Sequence, residues 1–400
     1  MTSRCDVVVV GGGLLGCAVS WMLARDGVDV TLLERDQINQ HASGRNAGSL
    51  HFQLEYRMVE GGLKAAQRAA EAMPLHLDAS RRWAALADEL GESLGVVQNG
   101  GLMLAESAEQ ATVLERKSEL ERSWGLDVTV LSGAEVREMA PYLSNSVVAA
   151  AYCPIEGKAD ARTAGPALAR GAARLGAEIL TRTRVISMER SNNHWLVGTE
   201  AIGKDGTVAH GRIEAEALVL AGGVWTPELG DMLGVTLPTI ALALMMTVTM
   251  KTKKFIPHLI QHAGTKLSLK QTHDGTVLIG GGWPARLRLD GRGKPEFDSQ
   301  PELIRSSVAG NARVAIGVVP RISSLPVLRT WVGTTTVTPD QLPLVGSVPN
   351  CPGVFVATGG SAFTLGPSFA HVLSELVQGR SPHVDLAAYD PRRYGSVAHA

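Results

Sequence analysis

The sequence has little of what marks nucleic-acid-binding, disulfide-stabilised or membrane-spanning chains. Its 400 residues carry a formal net charge of −1, which gives no electrostatic reason to expect binding to nucleic acid. The four cysteines are scattered and form no Cys-x-x-Cys pair, so neither an Fe–S or metal site nor a disulfide framework is predicted. The apolar run 240–250 is too short to span a bilayer and predicts a buried strand, so no transmembrane segment is expected.

The N-terminus does not resemble a signal peptide, because its apolar run leads directly into a glycine-rich turn. A cytoplasmic location is therefore expected, with peripheral attachment to the inner membrane left open. A chain of this length suggests two or three domain-sized units. It shows no internal repeat and no long linker, so we expect these units to be interwoven.

The most informative stretch is residues 7–34. A run of four valines at 7–10 predicts a fully buried strand, residues 17–25 predict a helix, and residues 28–33 predict a second strand. The glycines between the first strand and the helix have the G-x-G-x-x-G spacing. This order of strand, glycine turn, helix and strand is typical of a dinucleotide-binding unit.

Each residue of this fingerprint has a mechanical role. Gly11 allows the tight turn out of the strand, Gly13 lets the backbone approach a pyrophosphate, and Gly16 lets the helix pack against the sheet. The free N–H groups at the start of the helix favour phosphate. Glu34 ends the second strand and would accept hydrogen bonds from a ribose hydroxyl, which disfavours the 2′-phosphate of NADP.

The remainder of the chain alternates between helical and strand patterns. Helices are predicted at 75–90, 163–175 and 367–376. Strands are predicted within 177–188 and at 218–221, 267–271, 277–280 and 354–357, of which 267–271 and 277–280 form a hairpin turning at residues 274–275.

The order of motifs along the chain resembles the D-amino-acid-oxidase-like superfamily of FAD-dependent amine oxidoreductases, and the resemblance covers most of the length. The motifs are the fingerprint ending at Glu34, the loop 42–48 (ASGRNAG), residues 157–161 with Asp160, residues 221–225 (AGGVW), residues 331–346 with Asp340 and Pro343, and residues 358–360 (TGG) followed by 363–367 (FTLGP).

The resemblance implies an α/β fold. A Rossmann-like FAD-binding domain of the GR2 or DAO-like type would be interwoven with an α+β substrate domain built on a mostly antiparallel sheet. The FAD-binding domain would comprise residues 1–90, 150–235 and 330–400. The substrate-binding domain would comprise residues 91–149 and 236–329.

The resemblance also implies FAD rather than NAD, because NAD alone would not need the C-terminal glycine cluster. In the family, the loop that corresponds to residues 42–48 passes beside the pyrophosphate and under the isoalloxazine ring. A valine contacts the adenine side of the cofactor through its backbone. The C-terminal glycine turn and helix lie near the flavin pyrimidine. The residues thereby placed at FAD are Gly11, Gly13, Leu15, Gly16, Glu34, Arg35, Ser43, Gly44, Arg45, Asn46, Ala47, Gly48, Ser49, Leu50, Val185, Ala221, Gly222, Trp225, Gly333, Gly359, Phe363, Thr364, Leu365 and Gly366.

Some of these positions also have plain structural interpretations. Trp225 and Trp331 are more readily packing residues than catalytic ones, and Asp340 more readily holds a turn than contacts flavin. Arg45 either binds phosphate or is a solvated loop arginine, and the sequence leaves both alternatives open.

Three departures from the family pattern bear on the substrate and the cofactor. Thr335 stands where glycine-oxidase-like members carry an arginine that clamps the substrate carboxylate. Leu278 stands where monomeric sarcosine oxidases carry a lysine that helps oxygen react, which argues against a fast oxidase. Residues 331–340 contain no cysteine to tether a flavin, so non-covalent FAD is expected.

The segments 46–56 and 362–370 look most like the FAD subunits of hetero-oligomeric amine dehydrogenases, especially the β subunit of octopine and nopaline oxidases. The resemblance implies hydride transfer from an amino-acid-derived secondary amine to FAD, hydrolysis of the resulting imine, and electron transfer to partner subunits. Those partners would be a nucleotide-binding α subunit and an Fe–S protein, and an FMN can lie at the subunit interface.

Alternatives are a D-hydroxyproline or proline dehydrogenase subunit, a stand-alone sarcosine- or glycine-type oxidase, a non-catalytic FAD electron-transfer subunit and, more distantly, an NAD-dependent dehydrogenase.

His51, Gln53 and Glu55 are the candidate catalytic residues. They follow the loop 42–48, here called the flavin loop, and they occupy alternate positions. A strand would therefore point all three side chains to one face. Histidine titrates near neutral pH and could deprotonate or orient the amine, while Gln53 and Glu55 could bind polar groups of an opine such as a guanidinium. The alternative is that the three make structural hydrogen bonds or a subunit contact. Lys270 and Gln271 are further candidates for the pocket.

Overall fold

The structure is a computed structural model that describes residues 2–394. Its strands, in chain order, are β1 (Thr2–Val10), β2 (Val30–Leu33), β3 (Ser49–Leu50), β4 (Gly101–Ala105), β5 (Thr129–Ser132), β6 (Ala149–Cys153), β7 (Gly157–Lys158), β8 (Glu178–Leu180), β9 (Thr183–Ser191), β10 (His194–Ile202), β11 (Val208–Leu220), β12 (Ile240–Thr249), β13 (Leu259–His262), β14 (Ser268–Gln271), β15 (Val277–Gly280), β16 (Val327–Val337), β17 (Leu344–Ser347) and β18 (Val354–Thr358).

The α-helices of the same residues are α1 (Leu14–Arg25), α2 (Ala42–Arg45), α3 (Tyr56–Val59), α4 (Leu63–Ala70), α5 (Met73–Leu90), α6 (Ala108–Ser123), α7 (Gly133–Met139), α8 (Ala164–Arg174), α9 (Thr226–Met232), α10 (Arg305–Val318) and α11 (Gly366–Val377). Short 3-10 helices occur at Gly223–Trp225, Pro320–Ser324 and Pro391–Tyr394. Within residues 2–394, no helix combines the length and the apolar character needed to cross a membrane.

The first sheet contains the dinucleotide unit. Its strands lie in the order β17-β18-β11-β1-β2-β8, and the antiparallel pair β9–β10 joins it through β11. β1 is parallel to β2 and to β11, with Val7 opposite Val30 and Ala217. Alternate valines of β1 enter the hydrophobic cores on the two faces of the sheet, which explains why the strand is apolar throughout.

α1 packs against α8 and α11, and most of its residues are buried. Two glycines allow this packing. Gly11 has a φ of +114°, and a Cβ there would overlap the carbonyl oxygen of Ala221. A Cβ at Gly16 would overlap the carbonyl oxygen of Gly11. Both positions therefore require glycine, because the chain passes too close to itself for a side chain.

The second sheet has the order β16-β12-β15-β14-β13-β4-β6-β5. Its described pairs are antiparallel except for β4 with β13, so the sheet is mostly antiparallel, as predicted. A third, two-stranded sheet pairs β3 with β7. The first sheet takes strands from 2–33, 178–220 and 344–358, and the second from 101–153 and 240–337. The division of the chain into two discontinuous domains stays a prediction.

Several predicted elements agree with the structure and others differ. The hairpin prediction is confirmed by β14 and β15, which turn at Asp274 and Gly275. The strand signal in 177–188 corresponds to β8 and β9, which pair with β2 and β10 and not with each other. No sequence pattern indicated β16, an edge strand whose residues Val327 and Leu328 are exposed.

Candidate functional site

A cavity of 490 Å³, here called the cleft, opens at the carboxyl ends of β1, β2 and β11. This edge is where parallel α/β sheets place their ligands. The predicted cofactor-binding residues that line the cleft are Gly11, Gly13, Glu34, Arg35, Ser43, Arg45, Val185, Ala221, Gly222 and Trp225.

One end of the cleft is formed by the start of α1. Gly13 is the N-cap residue and has no side chain to cap the helix, while Leu14 donates its N–H to the Ser43 hydroxyl at 3.0 Å. Ser43 thus satisfies the Leu14 N–H, while no side chain of the N-cap residue covers the positive end of the helix dipole. Backbone amides at such a helix start suit a phosphate group, so this end fits a pyrophosphate.

Glu34 forms the wall next to this helix end. Its two oxygens accept the N–H groups of Gly12 at 2.6 Å and Asp36 at 2.7 Å. Burial raises the pKa of Glu34, while the two amide bonds act to lower it. A carboxylate offers about four lone-pair sites, so acceptor capacity remains for a ribose hydroxyl.

Another part of the cleft wall is aromatic. The Arg35 guanidinium lies 4.5 Å from the centre of the Trp225 ring, and the edges of His41 and Phe297 meet the same ring. These contacts agree with the packing role predicted for Trp225. Such a wall, with the apolar Val185 beside it, suits a flat heterocycle such as adenine.

Arg45 lies between the cleft and β16. Its Nε donates to the Gln40 carbonyl at 3.0 Å, and its own carbonyl accepts the Trp331 indole N–H at 2.8 Å. Trp331 therefore joins the second sheet to the cofactor loop. A phosphate role for Arg45 stays a prediction.

The remaining cofactor candidates lie behind or beyond the cleft. Gly44 and Gly48 are needed for close approach, because a Cβ would overlap the carbonyls of Asn39 and Ala159 respectively. Thr364 Oγ1 donates to the Ser49 carbonyl at 3.2 Å, which joins the C-terminal loop to the flavin loop. The candidates that do not line the cleft are Leu15, Gly16, Gly44, Asn46, Ala47, Gly48, Ser49, Leu50, Gly333, Gly359, Phe363, Thr364, Leu365 and Gly366.

The C-terminal glycine turn adopts the backbone conformation that glycine favours. Gly359 and Gly360 have φ angles of +75° and +39°, and α11 begins a few residues later at Gly366. The Thr364–Ser49 bond places the residues just before α11 next to β3, which directly follows the flavin loop. A helix start in this place favours negative charge on a ligand.

The expectation that a strand carries the three catalytic candidates is wrong. β3 ends at Leu50, and residues 51–55 are irregular. His51 is buried, and its Nε2 lies 2.9 Å from the Ser268 hydroxyl on β14. Its Nδ1 has no hydrogen-bond partner among residues 2–394. His51 therefore has one buried ring nitrogen that no described residue satisfies, although His51 does not line the cleft.

The Gln53 side chain is engaged by protein groups, which favours the predicted alternative of a structural role over a substrate contact. Its amide nitrogen donates to Glu156 at 3.0 Å, and its amide oxygen accepts from the Lys117 ammonium at 3.0 Å. The side chain is fully buried. Both polar atoms are occupied, so the structural alternative applies to this residue.

Gln53 belongs to a buried charged network that the sequence motifs did not reveal. Lys117 and Glu121, four residues apart on α6, form an ion pair at 2.7 Å with both side chains almost fully buried. Glu121 accepts the Leu54 N–H at 2.6 Å, and Glu156 accepts the N–H groups of residues 52 and 53. Burial raises the pKa of Glu121, and Lys117 opposes that shift. The two carboxylates thus fix the backbone that follows His51.

Glu55 is an anion at the other end of this segment. It accepts from Arg57 at 3.1 Å and from the Ser361 hydroxyl at 3.0 Å, and Arg57 also donates to Gln341 at 2.9 Å. Burial opposes ionisation of Glu55, but Arg57 and His51 outweigh it and lower the pKa to about 2. Glu55 therefore stays charged and links the segment to the C-terminal glycine turn.

Of the two pocket candidates on β14, only Lys270 keeps a free polar atom. It follows Ser268 by two residues, so both side chains share one face of the strand. The Lys270 ammonium group is buried and has no partner among residues 2–394. Burial, aided by Lys158, lowers its pKa well below the usual value. The Gln271 amide instead bonds to the backbone of residues 253, 255, 256 and 275 and is structural.

His76 on α5 is a buried neighbour that no sequence pattern indicated. Burial lowers its pKa to about 4, while the charge of Glu55 opposes that shift. Its Nδ1 has no partner within the described chain. Two histidines and one ionised carboxylate thus meet beside the flavin loop.

Comparison with known proteins agrees with this geometry. A family model described as FAD dependent oxidoreductase matches residues 6–376. Sarcosine dehydrogenase of Mus musculus is 28% identical over 98% of this chain but only 42% of its own length, so the chain spans less than half of that relative. An opine oxidase subunit of Rhizobium meliloti is 27% identical over 97% of both chains.

The solved structures include a similar fold over the same length. The crystal structure of glycine oxidase from Geobacillus kaustophilus superimposes with a TM-score of 0.83 at 26% identity, covering 98% of this chain and 99% of that one. The predicted resemblance, fold class and FAD cofactor are confirmed by these matches.

Replacing Glu34 by Gln should weaken FAD binding about 10- to 100-fold, because the charged hydrogen bond proposed between the carboxylate and a ribose hydroxyl would contribute about 1.5–3 kcal/mol. The glutamine side chain has an NH₂ group in place of one oxygen, and this donor would face the N–H donor of Gly12 or Asp36. Titration of the apoprotein with FAD measures the change. Glu228→Gln removes another carboxylate of the cleft wall and should change the affinity by less than about twofold. Equal affinities for the two variants would contradict the role of Glu34.

Replacing Lys117 by Met should lower the free energy of unfolding by about 3–5 kcal/mol, because the buried Glu121 carboxylate loses its cation. Urea unfolding of the FAD-loaded protein measures this. The neighbouring Arg116 is exposed on the same helix, and Arg116→Met should change stability by less than about 0.5 kcal/mol. Adding Glu121→Gln to Lys117→Met should recover part of the loss. A Lys117→Met protein as stable as Arg116→Met would rule out the network.

Proposed function

The chain belongs to the family of FAD-dependent oxidoreductases, and on that premise we propose that it oxidises the C–N bond of an amino-acid-derived secondary amine. FAD, when bound, supplies a hydride acceptor for the carbon that bears the nitrogen, and water then hydrolyses the resulting imine. The proposal rests mainly on His51. This residue directly follows the flavin loop in the chain and is buried, and its Nδ1 has no hydrogen-bond partner among residues 2–394.

His51 would hold the proton that the amine must lose before it can give up a hydride. With Nε2 donating to Ser268, the lone pair on Nδ1 is left to accept this proton. The network of Lys117, Glu121 and Glu156 keeps the segment in place while the proton moves. The ionised Glu55 is already paired with Arg57, and its remaining lone pairs could accept a polar group of the substrate, such as a guanidinium.

The finer proposal is that the chain is the β subunit of an opine oxidase or dehydrogenase acting on octopine or nopaline. Support comes from the full-length similarity to opine oxidase subunits of Rhizobium meliloti and Agrobacterium tumefaciens and from the motifs of residues 46–56 and 362–370. Electrons would pass to partner subunits, a nucleotide-binding α subunit and an Fe–S protein. The predicted cytoplasmic location stays part of this proposal.

An FMN at a subunit interface also stays a proposal. A second cavity, of 300 Å³, is lined by Lys158, Lys254 and His273. Burial, with Lys254 nearby, lowers the pKa of Lys158, which indicates cationic groups crowded together. A phosphate group would relieve that crowding, so this cavity is where we would place the FMN phosphate.

The alternatives are a D-hydroxyproline or proline dehydrogenase subunit, a stand-alone sarcosine- or glycine-type oxidase, and a non-catalytic electron-transfer subunit. Thr335, in place of the family's arginine, disfavours a simple carboxylate clamp there. The argument from Leu278 against an oxidase is weaker in the structure, because Leu278 pairs in register with the buried Lys270. A lysine is therefore present one strand away.

Anaerobic addition of octopine, nopaline, D-hydroxyproline, sarcosine and glycine to the FAD-loaded chain tests the function. We expect octopine or nopaline to bleach the flavin absorbance and to form no peroxide when air is admitted. Bleaching by sarcosine or glycine with peroxide formation would favour the stand-alone oxidase. Failure of all five amines to bleach the flavin would contradict a substrate site in this chain.

Replacing His51 by Ala should slow flavin reduction by the active amine about 10²- to 10⁴-fold, because the proton acceptor is removed. The FAD content should not change. Stopped-flow absorbance measures the reduction rate. His210→Ala removes an exposed histidine on β11 and serves as the matched control. Reduction by His51→Ala at the unaltered rate would exclude His51 from the chemistry.

A further inference from the structure

Two histidines and a glutamate meet in the later turns of α11, outside the cleft. His371 and Glu375 are four residues apart and share one face of the helix, and His383 comes from the segment that follows it. One ligand atom from each of the three lies within 4.8 Å of the others. None of these residues lines the cleft, so the cluster has no part in the proposed oxidation.

The spacing of the donor atoms suits a small cation. His371 Nε2 lies 3.3 Å from Glu375 Oε1, and His383 Nδ1 lies 2.8 Å from Glu375 Oε2. Tetrahedral zinc holds nitrogen and oxygen ligands at about 2.0–2.2 Å, which separates neighbouring ligand atoms by roughly 3.3 Å. Small side-chain adjustments would bring all three donors around one ion.

His383 lies between two carboxylates, a position that calls for positive charge on or beside the ring. Its Nδ1 faces Glu375, and its Nε2 faces Asp78 at 3.1 Å. A neutral imidazole has one N–H and can donate to only one of these carboxylates. The other ring nitrogen would then turn its lone pair toward an anion. Either a second proton on the ring or a metal ion at Nδ1 removes this repulsion.

We propose that His371, Glu375 and His383 bind Zn²⁺ or a similar divalent transition-metal ion. Two imidazoles and one carboxylate form a donor set typical of zinc, and three protein ligands leave a position for water. Asp78 orients His383 from behind by accepting its Nε2–H, the arrangement in which a carboxylate fixes a ligating histidine. Asp78 is itself held by the Ser368 hydroxyl at 2.7 Å and by Arg82 at 2.6 Å.

A metal ion in this place would join three parts of the chain. α11 contributes His371 and Glu375, the following segment contributes His383, and α5 contributes Asp78. The His383 backbone N–H already donates to Glu375 at 3.1 Å, so the segment is held at the site before any ion binds. The ion would strengthen this junction and raise the thermal stability of the protein.

Zinc titration of the chelator-treated, FAD-loaded protein, in competition with a chromophoric chelator, tests the proposal. We expect one equivalent to bind and to raise the melting temperature. His371→Ala and Glu375→Gln should weaken binding by about 100-fold or more, and Asp78→Asn by about 10- to 100-fold. His210→Ala should bind zinc as the wild type does.

Flavin content and melting temperature without zinc show that each variant is folded, and neither readout depends on oxidase activity. With Co²⁺ in place of zinc, we expect visible absorption that His371→Ala abolishes. A wild-type protein that takes up no zinc would overturn the proposal. Zinc binding of equal affinity in His371→Ala and Glu375→Gln would also overturn it, since the ion would then lie elsewhere.

Discussion

Close approach of backbone to backbone at the end of β1 is the constraint on which the cleft depends. Side chains at Gly11 and Gly16 would overlap the carbonyl oxygens of Ala221 and Gly11. These contacts draw the end of β11 and the start of α1 onto one turn, so that free helix amides and the Glu34 carboxylate face a single cavity. We propose that phosphate, ribose and adenine bind in this cavity, where three strands end together.

A second level of organisation ties residues 51–55 to this frame. Residues 52–54 have no strand partner, and their N–H groups are accepted by two buried glutamates. Placing Lys117, Glu121 and Glu156 in the core costs desolvation energy, and buried charges are poor sources of stability. We interpret them as fixing one position of the backbone, which leaves His51 beside Ser268 with one ring nitrogen free.

Features of the fold that depend on residues close together in the chain could be predicted from the sequence. The glycine spacing, the valine strand and the hairpin at Asp274 follow from backbone geometry that neighbouring residues determine. The sequence could not show where Gln53 points, because that depends on Lys117 and Glu156, which lie 64 and 103 residues away. The Lys117–Glu121 spacing also looks like an ordinary surface pair on a polar helix, and only tertiary packing buries it. Asp340 accepts the Leu342 N–H within its own turn, which a local pattern can indicate, but its bonds from Arg68 and Arg393 depend on tertiary packing.

Acid precipitation of the purified chain, followed by identification of any flavin in the supernatant, tests the central claim most directly. We predict a yellow protein that releases about one equivalent of FAD, since the chain belongs to a family of FAD-dependent oxidoreductases and no cysteine tether is expected. Flavin that stays with the precipitate would contradict non-covalent binding. A colourless protein that takes up no added FAD would contradict the account as a whole.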